Sequence, residues 1–116
     1  MVNLNKNNTP RVKIVQKLYS NSLNPEEKIV YNKSQYKKFI KDVTEGTIER
    51  KELIEEIVVK SLKNDINLKR TDKLLKLIIY AAVFELLYKH NNPKKVIISE
   101  YIKTSHFFLE KSQIKY

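Results

Sequence analysis

Histidines and clustered carboxylates are the residues of this sequence that could support catalysis or bind a metal ion. The two histidines, His90 and His106, each lack a second histidine or cysteine at metal-ligand spacing, and the 116 residues contain no cysteine. The sequence therefore predicts no metal site. We expect both histidines to lie at surface or boundary positions.

Four glutamates lie close together at Glu49, Glu52, Glu55 and Glu56. On a helix, this spacing suits ion pairs with lysines three or four residues away, and each pair contributes only about 0.2–0.5 kcal/mol. A catalytic carboxylate needs an apolar or charged pocket that shifts its pKa, and the sequence indicates none. The single glycine excludes a glycine-rich phosphate loop. We therefore predict that the protein is not an enzyme.

Basic residues are concentrated in the first third of the chain. The net charge is +10 with a pI near 9.7; residues 1–41 carry nine basic and two acidic side chains, whereas residues 42–116 carry fourteen and eleven. Such a charge attracts polyanions and predicts salt-dependent affinity for nucleic acid. The alternative is a basic surface that only keeps the protein in solution.

Three of these cations surround a predicted helix start at Thr9-Pro10. Lys13 and Lys17 can contact phosphates as point charges, and Arg11 can present a planar fork. Backbone amides at the helix N-terminus could add to an anion site. Tyr19 could stack on an unpaired base, although its spacing by itself favours packing in the core.

The elements that position these residues are helical throughout. Thr9 and Pro10 predict a first helix that ends near residue 21, with Val12, Val15, Leu18 and Tyr19 on its apolar face. Asn24-Pro25 is a second possible helix start, and any helix there is expected to be short. Residues 34–62 carry a long helical pattern that Gly46 interrupts, either as a close-packing point or as a break. We expect two helices that meet near residues 46–50.

Two further helices are predicted after a connector at residues 64–68. Thr71 is the expected cap of the first, and residues 74–87 are apolar on nearly every side, as in the buried centre of a bundle. Asn92 is the expected cap of the second, with Pro93 at its first position. Residues 111–116 are predicted to form a loop.

The predicted fold class is all-α, a compact bundle of five to six helices. One glycine, three prolines and 41% apolar residues argue against β-rich architectures and against disorder. We expect a flexible arm at residues 1–8 and one helical domain at 9–116. The longest apolar run, Leu77–Phe84, has eight residues, whereas a membrane span needs about 20, so we expect a soluble, cytoplasmic protein.

Five sequence blocks resemble those of the NusB family, in the same order. The first has a basic start followed by Gln-x-Leu-Tyr, and the second is similar to Phe-x-x-Leu-Val-x-Gly. The third resembles Leu-x-Arg-Leu-Asp followed by Tyr-Glu-Leu-Leu, the fourth resembles Pro-x-Lys-Val-x-Ile-Asn-Glu, and the fifth is similar to the alphaproteobacterial form of the next helix. The blocks are Arg11–Tyr19, Phe39–Gly46, Leu68–Leu87, Pro93–Glu100 and Glu100–Phe108.

The resemblance implies an all-helical protein of two small packed bundles that acts in transcription antitermination without a cofactor. Its implied partners are boxA RNA of ribosomal RNA operons, the small-subunit ribosomal protein NusE and the RNA polymerase antitermination complex. The resemblance also implies an RNA-binding face on the first helix, extended by the turn after the Pro93 helix. These residues are Arg11, Lys13, Gln16, Lys17, Tyr19, Phe108 and Ser112. The implied partner-binding surface is centred on Glu85 and Tyr88.

Three departures from the family pattern are present. Family members open with several arginines, whereas only Arg11 accompanies lysines here, and lysine lacks bidentate geometry. The stretch between Tyr19 and Phe39 is short, so the family's second helix is expected to be reduced or absent. The sequence stops where the family's last helix begins, so we expect that helix to be missing and an apolar patch to be exposed.

Two other interpretations remain open. The chain could be a stand-alone relative of the NusB-like domain of certain ribosomal RNA methyltransferases, which would position RNA for an enzyme. It could also be a basic helical interaction protein without RNA specificity.

Overall fold

Five helices form the part of the chain that the computed structural model describes, residues 9–62 and 71–114. They are α1 (Pro10–Leu23), α2 (Lys37–Glu49), α3 (Lys51–Ser61), α4 (Lys73–Tyr88) and α5 (Lys94–Ile114), and no strand occurs in these ranges. The predicted all-α bundle of five to six helices is confirmed. The predicted arm at residues 1–8 and the connector at 64–68 lie outside the described residues.

Helix α1 begins as predicted. The Thr9 hydroxyl accepts a hydrogen bond from the Val12 amide at 3.4 Å, and Pro10 occupies the first turn, where its missing N–H costs nothing. Its buried apolar residues are Val12, Ile14, Val15 and Leu18.

Residues 24–36 contain no helix, so the possible helix start at Asn24-Pro25 is not used. This agrees with the expectation that the family's second helix is reduced or absent. Only Ile29, Val30 and Tyr31 could have formed an apolar face there, which is too little to stabilise a helix of its own. The segment instead lies over α1 as a loop, with Tyr31 packed against the core.

The middle of the chain was expected to contain either a close-packing point or a helix break, and it contains both, at Gly46 and Arg50. The helical path breaks at Arg50, between α2 and α3, as predicted for residues 46–50. Gly46 lies inside α2 and is a close-packing point, because a methyl group there would overlap the ring of Phe84 on α4. Any larger residue at position 46 would therefore force the Phe84 ring, or α4 with it, to shift.

The ends of α4 and α5 differ slightly from expectation. Asp72, not Thr71, caps α4, and its carboxylate accepts from the Leu75 amide at 3.2 Å and adds a negative charge at the positive end of the helix. Helix α5 begins at Lys94, one residue after the expected first position. It continues through residues 111–114, where a loop was predicted, because no Gly or Pro interrupts it.

Helix α4 is the centre of the bundle and packs against each of the other four helices. One apolar cluster contains buried residues of all five helices: Ile14, Val15, Leu18, Ile40, Val43, Ile54, Val58, Leu77, Ile78, Tyr80, Ala81, Phe84, Ile97 and Tyr101. None of the helices in the described ranges is both long enough and apolar enough to span a membrane.

Candidate nucleic-acid interface

The outward face of α1 carries a stripe of polar and cationic side chains. Lys13, Gln16, Lys17 and Ser20 follow one another at helical spacing, and each is exposed or half-buried. The structure therefore brings three predicted site residues, Lys13, Gln16 and Lys17, onto one surface.

The loop after α1 turns this stripe into one wall of a groove. The groove has a volume of about 400 Å³, with Lys13, Gln16 and Lys17 on one side and residues 27–30 and 32 on the other. Lys28 and Glu27 both line it, so the loop contributes one charge of each sign. The two lysines of α1 leave the groove with a positive balance.

Lys17 is held in place by the loop. Its Nζ donates to the Val30 carbonyl oxygen at 2.7 Å and lies 5.2 Å from the centre of the Tyr31 ring. Partial burial, followed by repulsion from Lys13, lowers the pKa of Lys17. An anion beside this ammonium group would offset both effects.

Arg11 points in the opposite direction, into the bundle. Its Nε donates to Oε2 of Glu85 at 2.9 Å and its Nη2 donates to Oε1 at 2.7 Å, a bidentate ion pair with side-chain exposures of 10% and 0%. The guanidinium also lies over the rings of Phe39 and Tyr101, at 5.2 and 5.5 Å from their centres. The Arg11 guanidinium, which was expected to bind a phosphate, is therefore paired with Glu85 in this structure.

Glu85 was expected on a partner-binding surface, and the structure places it completely buried in the core. The Tyr101 hydroxyl donates to Oε2 of Glu85, and Arg11 neutralises the carboxylate. Burial, and then the charge of Glu85, raise the pKa of Tyr101 well above its usual value. A glutamate among the apolar residues of the central helix was the sequence signal for this network, because a buried carboxylate requires a cation.

The two aromatic residues of the expected RNA face have different environments. Tyr19 is 39% exposed, so core packing of its ring is wrong, and Ile14 fills the core from α1 instead. Phe108 is half-buried against the core and makes an edge-to-face contact with Phe107 at 5.1 Å between ring centres. Phe108 and Ser112 lie within α5 and not in a turn; the side chain of Ser112 is outside the described residues.

Tyr88, the other expected partner-binding residue, remains at the surface. Its ring is 41% exposed, lies 5.0 Å from the ring of Phe84 and has the Arg50 guanidinium 4.6 Å from its centre. Lys89, next along the chain, pairs with Asp42 of α2 at 3.4 Å. Tyr88 is therefore an accessible aromatic flanked by charges of both signs.

The residues considered for catalysis or metal binding have ordinary surroundings. His90 and His106 are exposed, and across the described ranges no three potential ligands come together at a metal site. Glu56 pairs with Lys60 four residues on at 3.0 Å, as the helical spacing predicted. Glu55 accepts a hydrogen bond from Tyr80 at 2.9 Å.

Comparison with known proteins gives a family match over almost the whole chain. The model of the NusB family matches residues 1–115. Similar proteins include the transcription antitermination protein NusB of Nitrobacter hamburgensis, 29% identical over 76 residues, which are 66% of this chain and 48% of that protein. The protein of the same name from Caulobacter vibrioides is 31% identical over 72 residues, covering 62% of this chain and 48% of its own.

These relatives are longer than the aligned stretch. A Rhodopseudomonas palustris protein of the same name is 28% identical over 75 residues, covering 65% of this chain and 44% of the relative. The chain thus spans about half the length of the curated relatives it matches. No solved structure matches it.

Proposed function

Because this chain belongs to the NusB family, we propose that it is an RNA-binding transcription antitermination factor. The similar proteins carry the name transcription antitermination protein, which describes a role in transcription. In its specific form, the proposal is that the chain binds boxA RNA of ribosomal RNA operons together with the ribosomal protein NusE, as part of the RNA polymerase antitermination complex.

The outward face of α1 is the observation that carries this proposal. Lys13 and Lys17 contact backbone phosphates, Gln16 offers both a donor and an acceptor to a base edge, and Tyr19 offers an exposed ring for stacking. Arg11 supports the site from within, because its pair with Glu85 ties the start of α1 to the central helix.

Lysines, and not arginines, provide the charge at this face. Lysine contacts phosphate as a point charge without bidentate geometry, so electrostatics contribute more of the affinity and direct base reading contributes less. We therefore expect RNA binding that falls steeply with salt and gains sequence preference from Gln16, Tyr19 and the protein partner.

The protein partner requires a different surface. With Glu85 buried, Tyr88 is the exposed residue of the expected pair, and its ring borders a shallow groove beside Arg50 and the carboxylates of α2. Exposed aromatic rings next to arginine are typical of interface hot spots. We propose this region as the contact for NusE.

A binding experiment with two RNAs tests the function. The affinity of the chain for boxA RNA and for a scrambled RNA of equal length and composition is measured across a salt series, with and without NusE. We expect a preference for boxA that NusE strengthens. Equal binding of both RNAs, lost together as salt rises, would contradict the proposal and indicate a basic helical protein without RNA specificity.

A further inference from the structure

A second cationic feature lies beside the outward face of α1, where the first turn of α2 approaches it. Lys13 and Lys17 of α1 and Lys37 of α2 line one small cleft, together with Tyr31, Asn32 and Ser34 of the connecting loop. The amide of Lys37 donates to the Ser34 carbonyl oxygen at 3.2 Å, which fixes the turn that carries Lys37. Lys37 is distant from the other two lysines in sequence, so only the fold brings it to them.

The cleft itself is lined by cations and neutral groups, although Tyr31 and Lys37 also border a neighbouring groove that contains Glu26, Glu27, Glu45 and Glu49. No carboxylate is among the described residues that line it, and none of the ion pairs found in the described ranges involves Lys13, Lys17 or Lys37. Repulsion between Lys13 and Lys17 contributes to the lowered pKa of Lys17. Three like charges in one cleft repel one another, and a bound anion relieves that repulsion.

The size and chemistry of the cleft select the kind of anion. Its volume is about 20 Å³, which admits a single phosphate oxygen and not a base. Lys17 is already held by Val30 and Tyr31, so little of its side-chain freedom is left to be lost on binding. Asn32 and Ser34 are exposed and can add neutral hydrogen bonds, the mixture that commonly surrounds nucleic-acid phosphates.

We propose that the cleft formed by Lys13, Lys17 and Lys37 is a phosphate-binding subsite, which holds one phosphate oxygen of a single RNA strand that passes over it from α1 to the start of α2. This inference rests on the proposed RNA-binding function and specifies the path of the RNA. It makes Lys37 a direct RNA contact, although Lys37 lies outside the helix on which the sequence indicated the interface.

Lys37→Gln tests the subsite, with Lys38→Gln as the matched control. Lys38 is the next residue in the same helical turn, is exposed and has the same charge, but it does not line the cleft or the larger groove. Both variants lower the net charge equally and change the helix N-terminus alike. The affinities of both variants and the wild type for boxA RNA and for scrambled RNA are measured across a salt series, and circular dichroism compares their helicity.

We expect Lys37→Gln to reduce the salt slope of log affinity by about 0.7 and the affinity by about fivefold at ~0.1 M salt, the effect of one lost phosphate contact on a single strand. Lys38→Gln should bind as the wild type does, and Lys37→Arg should restore the slope. Equal behaviour of Lys37→Gln and Lys38→Gln, with boxA preference intact, would overturn the subsite and leave the proposed function standing.

Another set of results would overturn the proposed function and still support the phosphate subsite. A wild type that binds boxA and scrambled RNA equally would overturn the specific function, whereas a larger loss for Lys37→Gln than for Lys38→Gln on both RNAs would still support the phosphate subsite. A wild type that binds neither RNA would overturn both.

Discussion

The two faces of α1 use the same kind of residue for opposite purposes. On the inward face, Arg11 is buried and forms a bidentate pair with Glu85. On the outward face, Lys13 and Lys17 have no carboxylate partner in the described part of the chain and border a groove. Arg11 therefore contributes to folding, whereas Lys13 and Lys17, two and six residues further along the chain, are available to a ligand.

The difference between the faces follows from the chemistry of the two side chains. A planar guanidinium can satisfy both oxygens of a buried carboxylate and still stack on aromatic rings, which Arg11 does with Phe39 and Tyr101. An ammonium group is strongly hydrated and favours a position near solvent, as Lys13 and Lys17 have. Five substitutions or conditions test this division, beginning with the largest expected effect.

Arg11→Met should strongly destabilise the fold. It leaves the Glu85 carboxylate buried without a cation, and breaking a buried pair in this way costs about 3–5 kcal/mol. The free energy of unfolding, measured by urea titration, should fall by that amount, while Lys13→Met should change it by less than about 0.5 kcal/mol.

The double variant Arg11→Met/Glu85→Leu separates charge from packing. It removes both charges and keeps side chains of similar length, so most of the lost stability should return. A double variant as unstable as Arg11→Met would show that the shape of the pair, and not the unpaired charge, stabilises this region.

Tyr101→Phe should have a smaller effect on the same network. It removes only the hydroxyl that donates to Glu85 and leaves the Arg11 pair in place. A hydrogen bond to a charged group contributes about 1.5–3 kcal/mol, so the urea midpoint should shift accordingly while the denaturant slope stays constant. An unchanged midpoint would mean that Arg11 alone satisfies Glu85.

Alkaline pH should weaken the wild type more than Tyr101→Phe. The pKa of Tyr101 in the folded state is raised well above 10.0, so below pH 10 the tyrosine is protonated in both states and contributes no pH dependence. Above pH 10 the unfolded state loses the proton and the folded state keeps it, so stability falls as pH rises.

Other tyrosines with raised pKa values also make stability fall in this alkaline pH range. The Tyr101→Phe variant is therefore needed to identify the contribution of Tyr101. Burial, and then the hydrogen bond to Glu55, raise the pKa of Tyr80 to about 12, and burial followed by the charge of Glu45 raises the pKa of Tyr31. The difference between wild type and Tyr101→Phe, measured from pH 10 upward, isolates the contribution of Tyr101. Identical pH profiles would exclude Tyr101 as a source of the dependence.

Lys13→Glu/Lys17→Glu should change RNA binding and leave the fold nearly unchanged. Loss of two phosphate contacts should reduce the salt slope by about 1.4 and the affinity for boxA RNA by about 10–30-fold at ~0.1 M salt. Helicity by circular dichroism and the free energy of unfolding should stay close to those of the wild type. Unchanged RNA affinity would contradict the assignment of the interface to the outward face of α1.

Helix class and several helix ends could be predicted from local sequence. Thr9-Pro10 specified the start of α1 because cap and first-turn preferences depend only on neighbouring backbone groups. The break near Arg50 and the apolar character of α4 were likewise visible as periodicity. The family resemblance, carried by five ordered blocks, agrees with the match to the NusB family over residues 1–115.

Tertiary structure alone decided which cations face inward, which aromatic rings are exposed and which distant lysine joins the outward face. The spacing of α1 could not separate Arg11 from Lys13, because burial of Arg11 depends on Glu85, 74 residues away. Nor could this spacing show that Tyr19 is exposed. It also could not show that Lys37 lies beside Lys17, because that depends on how the loop and α2 pack against α1. Local sequence determined the helices and the excess of positive charge, and long-range packing determined where that charge is available.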